Sequence, residues 1–308
     1  MNIFIFNSAS RARRLLSIWN SAVPGAPLVE ACATPHVEGM SASKKMPTLY
    51  LAHGGGPCFF MDWTMGPANT WDRTAAWLRS IDGHLPDKPR ALLVVSAHWE
   101  EEVPTILASE APPLLFDYHG FPKHTYELTW PAPGSPDLAA RVGQLLAAAG
   151  IENKKETKRG FDHGVFIPLK VAYPDAQIPT VQLSLKAGLD PAAHLAIGRA
   201  LAPLRDEGVL IVGSGMSYHN MRGFMSPRGR EDSEAFDAWL AQVVTKEPAA
   251  RTAALENWSE APSARASHPR EEHLIPLMVA AGAGDQDPGT RVFDDVVMGV
   301  RVSAVQFG

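Results

Sequence analysis

The sequence contains only two cysteines, Cys32 and Cys58, in 308 residues. Two thiols cannot build a disulfide framework or a thiolate zinc cluster, so a reducing compartment is expected. Any bound metal must therefore be held by histidine and carboxylate side chains. No stretch approaches the roughly 18 to 20 uninterrupted apolar residues that a membrane-spanning helix requires. The sequence thus predicts a protein without a membrane span.

Residues 46–308 contain no uninterrupted run of lysine and arginine longer than two residues, and the net charge of the chain is −5. Phosphate-rich partners are bound by clustered cations, so neither a nucleic acid nor an anionic membrane is an expected partner. A chain that is 45% hydrophobic and 20% charged can bury one enzyme-sized core. Chemistry on a small molecule is the function class that remains.

Several catalytic signatures are also missing. HExxH is absent, which excludes the zinc-peptidase helix, and HGGGP matches neither a dinucleotide-binding nor a Walker glycine loop. GxSxG is absent as well, and GSGMSYHN resembles that nucleophile elbow only loosely. Ser217 is therefore a weak candidate for a nucleophile.

Residues 1–45 differ in composition from the rest of the chain. They carry three arginines within residues 11–14, serines and apolar residues, and no acidic residue before position 30. This composition is typical of a transit peptide, which would direct the chain to mitochondria. An unstructured extension, or an unused upstream start ahead of Met46, fits as well, and a cytoplasmic protein is then expected. We predict an N-terminal extension over 1–45 and a catalytic domain over 46–308.

Short β-branched runs alternate with helical patterns from residue 46 onward. The predicted strands are TLYLA (48–52), ALLVVSA (91–97), TVQLS (180–184) and VLIVGSG (209–215). Helices are predicted over 70–81, 135–150 and 190–208, and the last two begin with Ser or Asp before Pro and end at Gly. TRVFDDVV and GVRVSAVQF predict a final edge hairpin. The pattern predicts an α/β fold, a single domain with a mixed central sheet flanked by helices.

Three of the predicted strands lead directly into a histidine. LYLA leads to His53, LLVVSA to His98 and VLIVGSGMSY to His219. The carboxyl ends of strands in an open α/β sheet form the edge where ligands bind, so these side chains are expected to converge there. Each one alone is more simply a hydrogen-bonded polar residue at a strand end. The glycines after His53 fit either a tight turn or a close approach of backbone to substrate.

Further histidines lie beside carboxylates. RGFDHGVFIPL places His163 in a loop before an apolar helix, and HPREEHLIPLM places His268 before a proline and His273 in the first turn of a helix. A ligating imidazole needs an acceptor on its other nitrogen, and the neighbouring carboxylates are candidates for that role. These candidates are Asp162, Glu271 and Glu272, although a helix N-terminus explains at least one of the glutamates. The remaining histidines are predicted to lie on the surface: His36, His84, His119, His124 and His194. A site of neutral imidazoles suits Zn(II) or Fe(II), and composition does not choose between them.

The motifs together resemble those of the class III extradiol ring-cleavage dioxygenases, in the branch similar to 4,5-DOPA dioxygenase. The resemblance covers residues 46–308 in order, and FDYHGFP and WPAPGSP are its most specific parts. The motifs that carry it are LAHGGGP, VVSAHWE, FDYHGFPKHTYELTWPAPGSPDLA, KRGFDHGVFIPLKVAYPDAQIPTVQLSL, GSGMSYHN and EEHLIPL.

The resemblance implies an enzyme that opens a catechol ring next to its hydroxyl pair with O2. It implies one divalent metal per subunit, Fe(II) for activity with Zn(II) as the alternative, held by His53, His98 and His273. His219 belongs to the same cluster, either as a direct ligand or as an acid/base residue. His163 matches a pocket histidine that hydrogen-bonds substrate or oxygen intermediates. The implied partners are a small aromatic diol and O2, for a chain working as a monomer or a homodimer.

The substrate stays open between DOPA, another catechol and a bulkier phenolic compound. Aromatic residues near the motifs are candidates for the pocket wall or for plain packing: Trp99, Phe121, Tyr126 and Trp130. The segment after His53, residues 58–90, is expected to shape the pocket mouth. Two other function classes compete. A zinc hydrolase would use the same histidines to activate water without O2, and a non-catalytic metal-binding protein would only hold the ion.

Overall fold

The structure is a computed structural model that describes residues 44–308. The predicted N-terminal extension over 1–45 lies outside the described residues except for its last two positions. None of the helices in the described part of the chain has both the length and the apolar character needed to cross a membrane.

The described residues contain eight strands, which form one mixed sheet. They are β1 (Thr48–Ala52), β2 (Ala91–Glu101), β3 (Thr105–Leu107), β4 (Lys154–Glu156), β5 (Thr180–Lys186), β6 (Val209–Gly215), β7 (Gly289–Val297) and β8 (Val300–Phe307). Their order across the sheet is β4-β3-β5-β2-β6-β1-β8-β7. The central strands β5, β2, β6 and β1 are parallel, whereas β8 runs antiparallel to β1 and to β7. The predicted mixed sheet is confirmed.

Helices cover both faces of this sheet. They are α1 (Asp72–His84), α2 (Pro136–Ala148), α3 (His163–Ala172), α4 (Pro191–Leu201), α5 (Pro227–Val244), α6 (Pro248–Glu256), α7 (Ala264–Ser267) and α8 (Ile275–Ala283). Leu92 and Val94 of β2 pack in one core with α1 and α3, and Leu93 and Val95 pack in the other with α2, α4 and α8. Successive strand side chains point to opposite faces, so a strand covered on both sides is a continuous apolar run.

Three helices begin in the same way. The side chains of Ser135, Asp190 and Ser226 each accept a hydrogen bond from the backbone N–H three residues further on, and a proline follows each of them. The side-chain oxygen satisfies one of the backbone donors that every helix start leaves free, and proline needs no such partner. This local chemistry fixes where α2, α4 and α5 begin.

Most predicted elements are confirmed. β1 and β6 have the predicted bounds, β5 runs two residues further, and the predicted helices appear as α1, α2 and α4. The last of these ends at Leu201 and continues as a short 3-10 turn, Ala202–Arg205. The C-terminal hairpin forms as β7 and β8, with β7 at the edge of the sheet.

The end of β2 differs from the prediction. The strand continues to Glu101, but its pairing with β6 stops at Ser96 and its register against β5 shifts between Val95 and Glu100. His98 therefore lies inside an irregular part of the strand rather than after its end. Irregularities of this kind aim a side chain away from the regular pleat.

Gly213 of β6 gives a direct test of how closely the helices approach the sheet. A Cβ there would overlap the main chain of Pro276 in α8. We expect Gly213→Ala to lower the free energy of unfolding by about 1–3 kcal/mol. Gly83→Ala in α1 is the matched control, because open space surrounds that position; it should be neutral or stabilising by up to about 1 kcal/mol. Urea denaturation measures both, and equal values would contradict the close contact.

Candidate active site

The described structure brings five histidines together at the edge of the sheet formed by the carboxyl-terminal parts of β1, β2 and β6. His53 follows β1, and its backbone N–H donates to Gly215 O at 3.0 Å, which links it to the end of β6. His98 comes from the irregular part of β2, and His273 from the turn before α8. The convergence expected from the strand-end pattern therefore occurs in the fold, with the correction that His273 precedes the helix rather than lying in its first turn.

His53, His98 and His273 form one of three groups in the described residues that could hold a metal ion, and the only one made of imidazoles alone; the others are His98, Asp117 and His163, and His219, Glu272 and His273. One ring nitrogen from each lies within 4.8 Å of the other two. The Nε2 atoms of His53 and His98 are 3.1 Å apart, and the three ring centroids are separated by 4.8, 5.2 and 4.8 Å. These are spacings at which three imidazoles can share one ion.

Hydrogen bonds fix the tautomer of two of these rings. His53 Nδ1 lies 3.2 Å from Ser214 Oγ, and the Ser214 hydroxyl donates its proton to the carbonyl of Gly164. The Oγ can therefore only accept from His53 Nδ1–H. His273 Nδ1–H donates to the Glu272 carboxylate at 2.9 Å. In both rings the proton sits on Nδ1, so the Nε2 lone pair is free for a ligand.

Burial keeps these three histidines neutral. It is the largest cause that lowers the pKa of His53, His98 and His273, and the neighbouring imidazoles lower each pKa further because like charges would repel. The neutral imidazole is the form that binds a metal. The cluster is thus in its ligating form at neutral pH.

The main chain of His273 is anchored as firmly as its ring. Its carbonyl accepts hydrogen bonds from Tyr50 Oη at 2.7 Å and from Met216 N–H at 3.1 Å. A Cβ on Gly215 would overlap this carbonyl, so only glycine permits the approach. Contacts with the sheet therefore set the position of His273, although this residue lies in the turn before a helix.

His163 forms a dyad with Asp117. His163 is the first residue of α3 rather than part of a loop, and both its backbone N–H and its Nδ1–H donate to Asp117 Oδ1, at 3.0 and 2.7 Å. Its ring centroid is 3.9 Å from that of His98. Burial alone would raise the pKa of Asp117, but its hydrogen bonds with His163 hold that pKa below the usual value. The dyad leaves His163 Nε2 free beside the cluster.

Asp117 was missed by the sequence analysis, and Asp162 was assigned the wrong contact. Asp162 accepts from Ser96 Oγ at 2.7 Å, from Gln182 and from Arg159 Nη2 at 3.3 Å, rather than from an imidazole. The same Arg159 nitrogen donates to His98 O at 3.1 Å. Asp162 thus steadies the strand segment that carries His98. The sequence feature that could have identified Asp117 as a site residue is its place in the FDYHGFP motif.

His219 lies next to the group rather than within it. Its ring stacks on His273 with centroids 3.3 Å apart, and its Nδ1 is 3.2 Å from Glu272 Oε1. Burial alone would raise the pKa of Glu272, but the contact with His219 and the charge of Arg270 hold it below the usual value. Glu271 pairs instead with Arg265 at 2.5 Å. Of the two glutamates, only Glu272 supports imidazoles.

The other histidines are placed as predicted with one exception. His84, His119 and His124 are exposed, and His36 lies outside the described residues. The prediction is wrong for His194, which is fully buried. Its Nε2 accepts from the backbone N–H of Lys186 at 3.0 Å, and its Nδ1 donates to the carbonyl at the start of α4 at 2.7 Å. The helical pattern around it did not reveal this role.

Two polar residues near the end of β6 have structural contacts. Ser217 is buried, and its Oγ accepts the backbone N–H of Ser303 in β8 at 2.7 Å, which supports the hairpin rather than a nucleophile. His268 is also buried and donates from Nε2 to Ser217 O at 2.9 Å. The weak nucleophile hypothesis finds no support here.

A cavity of about 270 Å³ opens over the histidines. All five histidines line it, together with residues 54–56, Trp63, Met65, Trp71, Tyr118, Phe121, Met216, Met221, Phe224 and Met298. The expectation that residues 58–90 shape the mouth is confirmed by three of these side chains. Of the four aromatic residues for which pocket wall and plain packing were both left open, Phe121 lines the cavity and the other three pack elsewhere. Trp99 lies against Arg159, Trp130 donates to Tyr173 O, and Tyr126 packs on Tyr118.

Comparisons with known proteins agree with this site. Residues 47–305 match the protein family described as the catalytic LigB subunit of aromatic ring-opening dioxygenase. The dioxygenase tasH of Hapsidospora irregularis is 35% identical over 96% of this chain and 98% of its own length. The 4,5-DOPA dioxygenase extradiol of Escherichia coli K12 is 37% identical over 89% of this chain and all of its own length.

A solved structure adds the same evidence at the level of the fold. The crystal structure of an uncharacterized protein from Escherichia coli K12 superposes with a TM-score of 0.68 at 34% identity, covering 85% of this chain and all of that one. The family match spans nearly all of the described residues, and these relatives align along most or all of their lengths. The chain therefore belongs to the LigB family of aromatic ring-opening dioxygenases.

Proposed function

We propose that this chain is a metal-dependent extradiol dioxygenase that opens the ring of a catechol-type, DOPA-like substrate with incorporation of O2. The observation that carries the proposal is the convergence of three neutral imidazoles in a cavity whose other walls are apolar and aromatic. Family membership supports a ring-opening dioxygenase, and the Escherichia coli relative, a 4,5-DOPA dioxygenase, supports a catechol.

The donor set fits one divalent metal. His53, His98 and His273 each offer a neutral imidazole, and two of them have the Nδ1 proton held by Ser214 and Glu272. We assign Fe(II) as the active metal, with Zn(II) as the alternative occupant, because imidazole donors suit both. When bound, the metal would supply Lewis acidity toward the catechol hydroxyls and, as Fe(II), the redox chemistry that O2 requires.

His163 is the proposed general base. Its Nδ1–H is held by Asp117, so Nε2 carries the lone pair that accepts a proton from a catechol hydroxyl. The imidazolium that forms is stabilised by the Asp117 carboxylate, which is 21% exposed and retains its charge. After ring opening, the same nitrogen can return the proton to the product.

His219 is proposed as a second acid/base residue rather than a metal ligand. Its closest side-chain partners are Glu272 and the face of the His273 ring, and it is not one of the three histidines assigned to the metal. With Nδ1–H donated to Glu272, its Nε2 is the atom available to a hydroxyl in the cavity. Phe121, Tyr118 and Trp71 line the same cavity, hold an aromatic ring by contact and keep bulk water away.

Oxygen uptake by the purified full chain tests this proposal. The protein is stripped of metal, reloaded without air with Fe(II) or Zn(II), and given a catechol in aerated buffer. One ring C–C bond breaks and both oxygen atoms enter the product, so we expect one O2 consumed per substrate with Fe(II) and none with Zn(II). Hydrolytic activity with Zn(II) that does not depend on O2, together with no uptake with Fe(II), would instead favour the zinc hydrolase.

Variants of the histidines connect the activity to the site. We expect His98→Ala to lose both bound metal and O2 uptake, since a third of the donor set is removed. His84→Ala serves as the control, because His84 is an exposed residue of α1 that lies outside the cavity lining. Metal content by mass spectrometry and O2 uptake are measured on both proteins. Full metal content in His98→Ala would overturn the ligand assignment.

The dyad gives a separate prediction. His163→Gln should lower kcat by about 10²- to 10⁴-fold, the usual contribution of a general base, while the metal content stays unchanged. Asp117→Asn should produce a smaller loss, because the imidazole keeps a partner but loses the neighbouring negative charge. Steady-state kinetics with a metal assay checks both. Unchanged kcat in His163→Gln would remove this residue from the mechanism.

A further inference from the structure

The cavity over the histidines contains no lysine, arginine, aspartate or glutamate among its described lining residues. Asp117 and Glu272 contact histidines of the lining, and both carboxylates are already bonded to imidazoles. Arg222 follows Met221 in the chain, but it is exposed and does not line the cavity. A charged group on a substrate would therefore lose its water without gaining an opposite charge, which is costly.

The few polar side-chain atoms of the lining outside the histidines are neutral. Trp63 Nε1–H donates to Met65 O at 3.0 Å, and the Tyr118 hydroxyl donates to Thr125 O at 2.6 Å. The Trp71 indole N–H has no partner among the described residues and is a neutral donor. The histidines are the part of the cavity assigned to the metal and the catechol hydroxyls. What remains of this lining for a ring substituent is uncharged, and the charged residues of the adjoining cavity, which shares Met65 and Met298, do not belong to it.

Methionines form much of that surface. Met65 and Met221 are 45% and 70% exposed at the mouth, and Met216 and Met298 lie in the same lining. Large exposed apolar side chains around a cavity mark a ligand-binding rim. Methionine is flexible and polarisable, so such a rim adapts to apolar groups of different shape. An apolar substituent would gain free energy by covering this rim, whereas a zwitterion would lose its hydration there without compensation.

We propose that the substrate is a catechol whose ring substituent is uncharged and apolar, rather than the amino acid side chain of DOPA. This inference rests on the proposed function, since it concerns the same site, but it replaces the DOPA-like ring substituent named there with an apolar one. A rival reading is a carboxylate held by the backbone N–H groups of residues 54–56, where Gly54 and Gly56 have positive φ. The experiment must therefore separate an anionic substituent from a zwitterionic one.

Three catechols with matched rings make this separation: 4-propylcatechol, 3-(3,4-dihydroxyphenyl)propionate and DOPA. We expect kcat/KM of the Fe(II)-loaded full chain to be at least about tenfold higher for 4-propylcatechol than for the other two, because only its substituent gains from burial. A higher value for DOPA, or for the propionate, would overturn the proposal.

Binding is measured separately from turnover. Trp63 and Trp71 line the cavity, so quenching of tryptophan fluorescence reports binding to the metal-free protein without O2. The same order of affinity is expected, with the lowest Kd for 4-propylcatechol. If that order holds and no catechol causes O2 uptake, the proposed dioxygenase function fails while the substituent preference stands. If the order is reversed, the preference fails whatever the O2 uptake shows.

A charge introduced at the rim tests whether the ring substituent binds there. Met221→Arg should raise affinity for the propionate relative to 4-propylcatechol by at least about tenfold, since it adds the cation that the lining lacks. Val292→Arg is the control, because Val292 is a 38% exposed residue of β7 that lines neither this cavity nor the adjoining one that shares Met65 and Met298. No change in Met221→Arg, or an equal change in both variants, would overturn the assignment of the substituent to this rim.

Discussion

The structure depends on keeping several imidazoles buried, close together and uncharged. A protonated cluster would repel itself, and burial without hydrogen bonds would leave polar nitrogens without partners. The chain meets both demands with oxygens from Ser214, Glu272 and Asp117, each placed beside an Nδ1 atom. Because each oxygen holds a proton on Nδ1, the Nε2 atoms are left with lone pairs. The form of each imidazole that could bind a metal is thus set by contacts behind the rings.

The sheet supplies the positions for these contacts. Parallel strands end at a common edge, so β1, β2 and β6 bring side chains from distant parts of the chain to one place. Gly213 and Gly215 let the segment around α8 lie directly on β6, and Tyr50 then fixes the His273 carbonyl. The cavity mouth is added by residues 58–90 and by the loop after β6. The scaffold and the pocket walls therefore come from different parts of the sequence.

Local patterns in the sequence predicted much of the fold and the grouping of the histidines. Apolar runs ending at His53 placed β1 correctly, and Ser or Asp before Pro marked α2 and α4. The same signal at Ser226 and Pro227 marks α5 and was overlooked. Short-range rules succeed here because strand composition and helix caps depend on neighbouring residues.

Contacts between distant residues were not predictable in the same way. Asp162 stands next to His163 in sequence, but its backbone conformation directs the carboxylate toward Ser96, and Asp117 reaches the ring from 46 residues away. His194 looked like a surface residue because one buried hydrogen bond to Lys186 leaves no periodic signal. The residues that line the pocket could not be predicted for the same reason, since an aromatic residue in a motif loop can face either the cavity or the core.

X-ray absorption spectroscopy of the anaerobic, Fe(II)-loaded full chain tests the central claim most directly. The account predicts one iron per chain with three imidazole nitrogens in its first shell. One of these should be lost in His273→Ala, and all three should be kept in His219→Ala. A shell with fewer imidazoles in the unmodified protein, or the loss of one in His219→Ala, would contradict the assignment of the ligands.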